Sequence, residues 1–161
     1  MRSNNILKLA LAVLIPLLAG FLGSIATSQS VDNWFVNLNK PFFNPPNWLF
    51  GPVWTLLYIF MGISLYLFWQ TPIKKKQTKE KNIGFMLFFI QLILNTLWSV
   101  IFFGFRNILF AFIQIIFLLG FIFLTIKVFY KFKKSCAYLL IPYFLWVCFA
   151  TILNGFYLLL N

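Results

Sequence analysis

The sequence predicts an all-α membrane protein, a bundle of five transmembrane helices with the N-terminus cytoplasmic and the C-terminus outside. Three observations predict it. Of 161 residues, 62% are hydrophobic and only 9% charged, against about a quarter charged in an average soluble domain. Five windows, 6–27, 52–70, 83–104, 108–130 and 136–160, reach the length of about 20 apolar residues that a bilayer core requires. The basic residues fall on alternate connections, as the positive-inside rule demands of a multi-span chain.

The first window follows Arg2 and carries Lys8, so it has the outline of a signal peptide. It is too long for a signal core, and Ala10, Ala12, Ala19 and Gly20 end in no clear cleavage site. It reads as a retained span. Pro16 and, in the fifth span, Pro142 favour kinks. Ala19 and Gly23, or Gly20 and Ser24, are small residues four apart, suited to close helix approach within the bundle or across a homodimer.

The first connection, 28–51, holds Trp34, Lys40, Pro41, Asn44, Pro45, Pro46 and Trp48. Its prolines stiffen it enough to fold back over the bundle mouth as a lid. The alternative is an interfacial anchor with its tryptophans at headgroup depth. Pro52 marks the expected start of the second helix, whose positive end then faces the outer mouth, near Lys40 and Arg106, where an anionic ligand group can rest. The remaining connections are short, as between antiparallel neighbours.

Charge fixes the expected orientation. Thirteen Lys and Arg stand against two acids. Arg2, Lys8, Lys74, Lys75, Lys76, Lys79, Lys81, Lys131, Lys133 and Lys134 fall on one side, with Lys40 and Arg106 on the other and Lys127 in a span end. Such clusters set topology and meet anionic headgroups, and they are not read as a nucleic-acid surface. The expected location is the cytoplasmic membrane of a prokaryote.

Several chemistries lack their groups. There is no His, which removes imidazole bases and His-ligated haem or zinc. Asp32 and Glu80, the only acids, fall in connections, so no carboxylate relay for proton coupling lies within a span. Cys136 and Cys148 lie in one helix, about 18 Å apart along its axis, too far for a disulfide. No metal or cofactor is required.

What remains polar inside the spans is neutral. Gln91, Asn95 and Ser99 recur every four residues on one face of the third span, flanked by Trp98 and Phe102. Trp146, Ala150 and Asn154 align in the fifth, with Tyr143 and Thr151 beside them, and Trp54, Tyr58, Met61 and Leu65 form a stripe in the second. Separately, such stripes bridge helices or face lipid. Together they are the material of an apolar small-molecule pocket with a few polar fixtures.

The run from Trp34 through Lys40-Pro41-Phe42-Phe43-Asn44-Pro45-Pro46-Asn47-Trp48 to Gly51-Pro52-Val53-Trp54, Gln91 to Ser99 with Phe102-Phe103-Gly104, and Pro142-Tyr143 to Asn154 strongly resemble the translocator protein or tryptophan-rich sensory protein family. Pro16 to Gly23 resembles it as well, so the likeness extends from first span to last. It implies a five-helix bundle, usually dimeric, whose first loop covers a ligand cavity that takes porphyrins such as protoporphyrin IX. It further implies ligand contacts at Phe43, Trp48, Trp54, Tyr58, Gln91, Asn95, Trp98, Phe102, Tyr143, Trp146, Ala150 and Asn154, with Lys40 near a ligand carboxylate. Some bacterial members are reported to degrade porphyrin in light with two tryptophans, which by motif position are Trp54 and Trp146. Two departures stand out. Phe43 occupies a position where the family usually has Trp, losing an indole donor. The animal sterol motif is incomplete, since no Lys or Arg follows Tyr157. Three functions follow as expectations: a receptor or carrier for a porphyrin, a photo-oxidative porphyrin-degrading enzyme, and a stress-sensing interaction protein that responds through dimerisation.

Overall fold

The computed structural model describes the backbone of residues 2–161 and the side chains of residues 5–161; Met1 and the Arg2 side chain of the charge count lie outside the described residues. Five helices carry the chain: α1 (Arg2–Val31), α2 (Asn47–Gln70), α3 (Thr78–Ser99), α4 (Ile108–Phe132) and α5 (Lys134–Leu160). All five are long and apolar enough to cross a membrane. There is no strand among the described residues.

Several boundaries differ from those expected. α1 continues past residue 27 to Val31, and the Ser28 hydroxyl is satisfied within the helix by Ile25 O at 3.0 Å. Ser30 Oγ also donates to Phe103 O at 2.6 Å and holds the last turn in place. α2 starts at Asn47 rather than at Pro52. Pro46, extended at φ −62°, ψ 142°, caps the helix, and Pro52 sits in its second turn, where the missing N–H costs one early hydrogen bond. The first connection therefore spans 32–46, with a short 3₁₀ turn at Phe35–Asn37. α3 begins five residues before the expected window, α4 ends two residues later than expected, and α5 begins two residues earlier, so that Lys133 alone links α4 to α5.

After Ser99, α3 widens into a π turn, Val100–Gly104. Phe105 N bonds to Val100 O at 2.9 Å, five residues back, which places one extra residue in the turn. Arg106 follows in left-handed backbone, φ 54°, reversing the chain into α4.

The helices close a ring. α1 packs between α2 and α3, α2 also against α5, α5 against α4, and α4 against α3. Glycines set two of the close approaches. A Cβ at Gly62 would lie 2.5 Å from Val13 Cα, and one at Gly20 would overlap the Tyr58 ring. These sites hold α1 and α2 together along their shared length.

The two ends differ. At the basic end Gln70 Nε2 donates to Asn5 Oδ1 at 2.9 Å, Lys81 Nζ caps α2 through Trp69 O and Thr71 O at 3.0 and 2.7 Å, and Lys131 pairs with Glu80 at 2.6 Å. The interior behind this end is solid. Phe68 and Phe129 stack at 3.9 Å and 9°, and Phe88 continues the stack on Phe129 at 6.0 Å and 7°, with all three rings fully buried. The other end carries the first connection, the π turn and the last turn of α5, and there the interior is hollow.

Candidate ligand cavity

A cavity of ≈ 570 Å³ lies in that half of the bundle, within the usual range for small-molecule sites. α1, α2, the first connection, α3 with its π turn, and α5 all contribute to its wall. None of the lining side chains is charged.

The floor is polar and tightly paired. Tyr58 OH donates to Asn95 Oδ1 at 2.5 Å, Asn95 Nδ2 to Tyr143 OH at 3.2 Å, and Tyr143 OH to Gln91 Oε1 at 2.9 Å. One chain of bonds thus joins α2, α3 and α5. Unpaired polar groups are costly in a membrane interior, so the helices are registered by their own side chains. Gln91 Nε2 ends the chain without a protein partner.

The walls are aromatic. Trp54 stacks on Tyr58 (5.6 Å, 28°) and meets Tyr143 edge-on (6.3 Å, 64°). Trp98 stacks on Phe102 at 5.1 Å and 22°. Its Nε1 donates to Asn154 Oδ1 at 3.1 Å, and Asn154 Nδ2 donates to Ile108 O at 3.2 Å. Trp146 packs on Phe50 (6.0 Å, 70°) and Phe149 (5.5 Å, 43°). Its Nε1 is buried and has no acceptor. A buried indole donor normally finds a partner; this one is enclosed by its neighbours, and Trp146 meets the cavity with its ring.

Of the residues singled out from the sequence, Trp54, Tyr58, Asn95, Trp98, Phe102, Trp146, Ala150 and Asn154 line the one cavity. Gln91 and Tyr143 do not. They sit behind the floor at 1% and 0% exposure and act on the site through Asn95 and through the edge-on contact of Tyr143 with Trp54. Phe43 packs outside the cavity against Phe156 (5.0 Å) and Phe149 (6.4 Å). Trp48, in the first turn of α2, is 71% exposed and points away. Lys40 lies over the outer face of Phe35, 4.9 Å from the ring centroid, separated from the cavity by that ring.

Sequence reasoning missed Phe35, Phe50 and Tyr157 as wall residues, and the face of α1 from Leu17 to Val31. Tyr157 and Asn154 are three apart on one helix face, which was a usable signal. Phe50 is four residues before Trp54 and shares its face only because α2 already starts at Asn47, whereas Phe35 carries no signal, because the path of the first connection decides where it points. On one side the wall is incomplete: Phe21, Ser24, Ser28, Gly51 and Thr55 all line the cavity and all remain exposed. This opening lies between α1 and α2.

Comparison with known proteins follows the same residues. The sequence profile of the TspO/MBR family matches residues 12–159. The tryptophan-rich protein TspO of Archaeoglobus fulgidus is 46% identical over 157 residues, covering 98% of this chain and 99% of its own. That of Chlorobaculum tepidum is 43% identical, covering 99% of each chain. The human translocator protein is 36% identical over 141 residues, 88% of this chain and 82% of its own.

Proposed function

The chain belongs to the TspO/MBR family and is a multi-pass membrane protein; from that premise we propose that it is a receptor or carrier for porphyrins of the protoporphyrin IX class and for similar flat, apolar ligands. One observation carries the reading: an uncharged cavity of ≈ 570 Å³ walled by Trp54, Trp98, Phe102 and Trp146. Flat π faces favour a flat aromatic guest. The Tyr58–Asn95 pair offers polar contacts at the floor.

The uncharged lining also orients the guest. Burying a carboxylate here without a cation is costly, so propionates would project through the exposed gap between α1 and α2, where Ser24, Ser28 and Thr55 stand. Lys40 is screened from the interior by Phe35 and would meet a carboxylate only outside. The proposal includes a cytoplasmic basic end, the cytoplasmic membrane as location, and a homodimer.

Titrating the purified protein with protoporphyrin IX should quench tryptophan fluorescence saturably. Trp146→Ala and Asn95→Leu should each weaken binding about ten-fold or more, the loss of one aromatic wall or one polar fixture. Unchanged affinity in both variants refutes the site.

A second reading is photo-oxidative degradation of the porphyrin, since Trp54 and Trp146 face the same cavity and acid–base groups are lacking there. Illumination of the complex with absorption monitoring separates the two. Loss of the porphyrin bands that slows in Trp54→Phe/Trp146→Phe supports turnover, and equal bleaching leaves a binding protein.

A further inference from the structure

We propose that the first connection is a roof fastened to α5 by Asn39, Asn44, Tyr157 and Asn161, and that this fastening sets the rate at which the cavity takes up and releases its ligand. The polar attachments of the connection are unevenly placed. Asn39 N donates to Asn161 Oδ1 at 2.9 Å and Asn39 Nδ2 to Leu160 O at 3.1 Å, while Asn161 Nδ2 donates back to Asn39 O at 3.1 Å. Tyr157 OH donates to Asn44 Oδ1 at 2.7 Å. Every other hydrogen bond of residues 32–46 among the described residues stays within the connection or at its helix junctions. All tethers thus reach one turn of one helix.

The fastened segment is also cavity wall. Phe35 lines the cavity and rests on Tyr157 (5.4 Å) and Phe103 (5.5 Å). Tyr157 is 2% exposed and lines the cavity with its ring while its hydroxyl holds Asn44. Lifting the connection at Asn39 would draw Phe35 out of the wall and open the site from above. The Asn39–Asn161 clasp is exposed at the surface, so water can replace its bonds at small net cost, as a reversible fastening requires. Local opening of this kind is common in weakly held segments over binding sites. These four are positioning residues. The step from roof to ligand exchange rests on the porphyrin reading above; the fastening itself does not.

The test uses the full chain in nanodiscs, with Cys136 and Cys148 replaced by alanine and a single thiol placed on the cavity wall by Ala150→Cys. A water-soluble maleimide reports opening of the roof without any ligand, read as the increase over the parent's basal labelling through the gap between α1 and α2. Asn161→Ala should speed labelling several-fold, and with Tyr157→Phe about ten-fold. Stopped-flow quenching with protoporphyrin IX should show association and dissociation accelerating together in Asn161→Ala, which lies outside the cavity, with Kd held within about two-fold, the signature of a gate. Unchanged labelling in both variants overturns the proposal. So does faster labelling with unchanged porphyrin rates, which would mean the roof moves but is not the route. A parent protein that shows no quenching sinks the porphyrin reading alone, and the labelling arm still decides the fastening.

Discussion

Tyr143→Phe removes a single oxygen from the middle of the chain of bonds beneath the cavity. In the parent, that hydroxyl accepts from Asn95 Nδ2 at 3.2 Å and donates to Gln91 Oε1 at 2.9 Å. The variant strands both groups, and Gln91, already unpaired at Nε2, loses its last side-chain partner while 1% exposed. A stranded buried group costs about 1–3 kcal/mol. Interhelical bonds in membranes average only about 0.6 kcal/mol by double-mutant cycle, so the lower part of the range applies, and about 2 kcal/mol of destabilisation is expected. Unfolding by denaturing detergent, followed by circular dichroism, measures it. Adding Gln91→Leu removes the stranded amide and should restore about half of the loss, since replacing both partners of a bond by apolar groups is nearly neutral. Tyr143 contributes no surface to the cavity, so porphyrin affinity should fall far less than in Trp146→Ala. A single variant as stable as the parent would refute the view that this chain of bonds registers α2, α3 and α5.

Three further outcomes are expected. Gly20→Leu forces the Tyr58 ring toward the cavity, so porphyrin affinity should drop at least about ten-fold; an unaffected titration would mean the ligand sits elsewhere. Ser30→Ala loses its 2.6 Å bond to Phe103 O and should cost about 1 kcal/mol, with faster amide exchange confined to the end of α1 and the π turn. The Lys131–Glu80 pair, with side chains 62% and 40% exposed, should contribute less than about 1 kcal/mol. Glu80→Gln should therefore leave the unfolding midpoint nearly unchanged and insensitive to salt.

The five spans were legible because each must present an unbroken apolar surface to lipid, and composition records that directly. The stripes Trp54–Tyr58, Asn95–Trp98–Phe102 and Trp146–Ala150–Asn154 were legible by helical period, and their members share one cavity. The same period also grouped Gln91 with Asn95, yet a residue one turn lower falls behind the floor; depth along a helix depends on what its neighbours fill. The π turn at Val100–Gly104 carried no signal in residue type, since Val-Ile-Phe-Phe-Gly continues an α-helix equally well. It coincides with a bond from Ser30 of another helix to Phe103 O and with the reversal at Arg106, neither visible in the local sequence. Trp48 and Lys40 lie near the mouth in sequence and point elsewhere in space, because α2 starts a turn earlier than Pro52 suggested.

The parallel triplet of Phe68, Phe129 and Phe88 behind the basic end makes the molecule a cup and not a tube. A guest descending through the barrel would meet a plug of packed side chains, and crossing it would mean unstacking fully enclosed rings. Any vectorial traffic must then run along the outside of the bundle or hand its cargo back through the same rim.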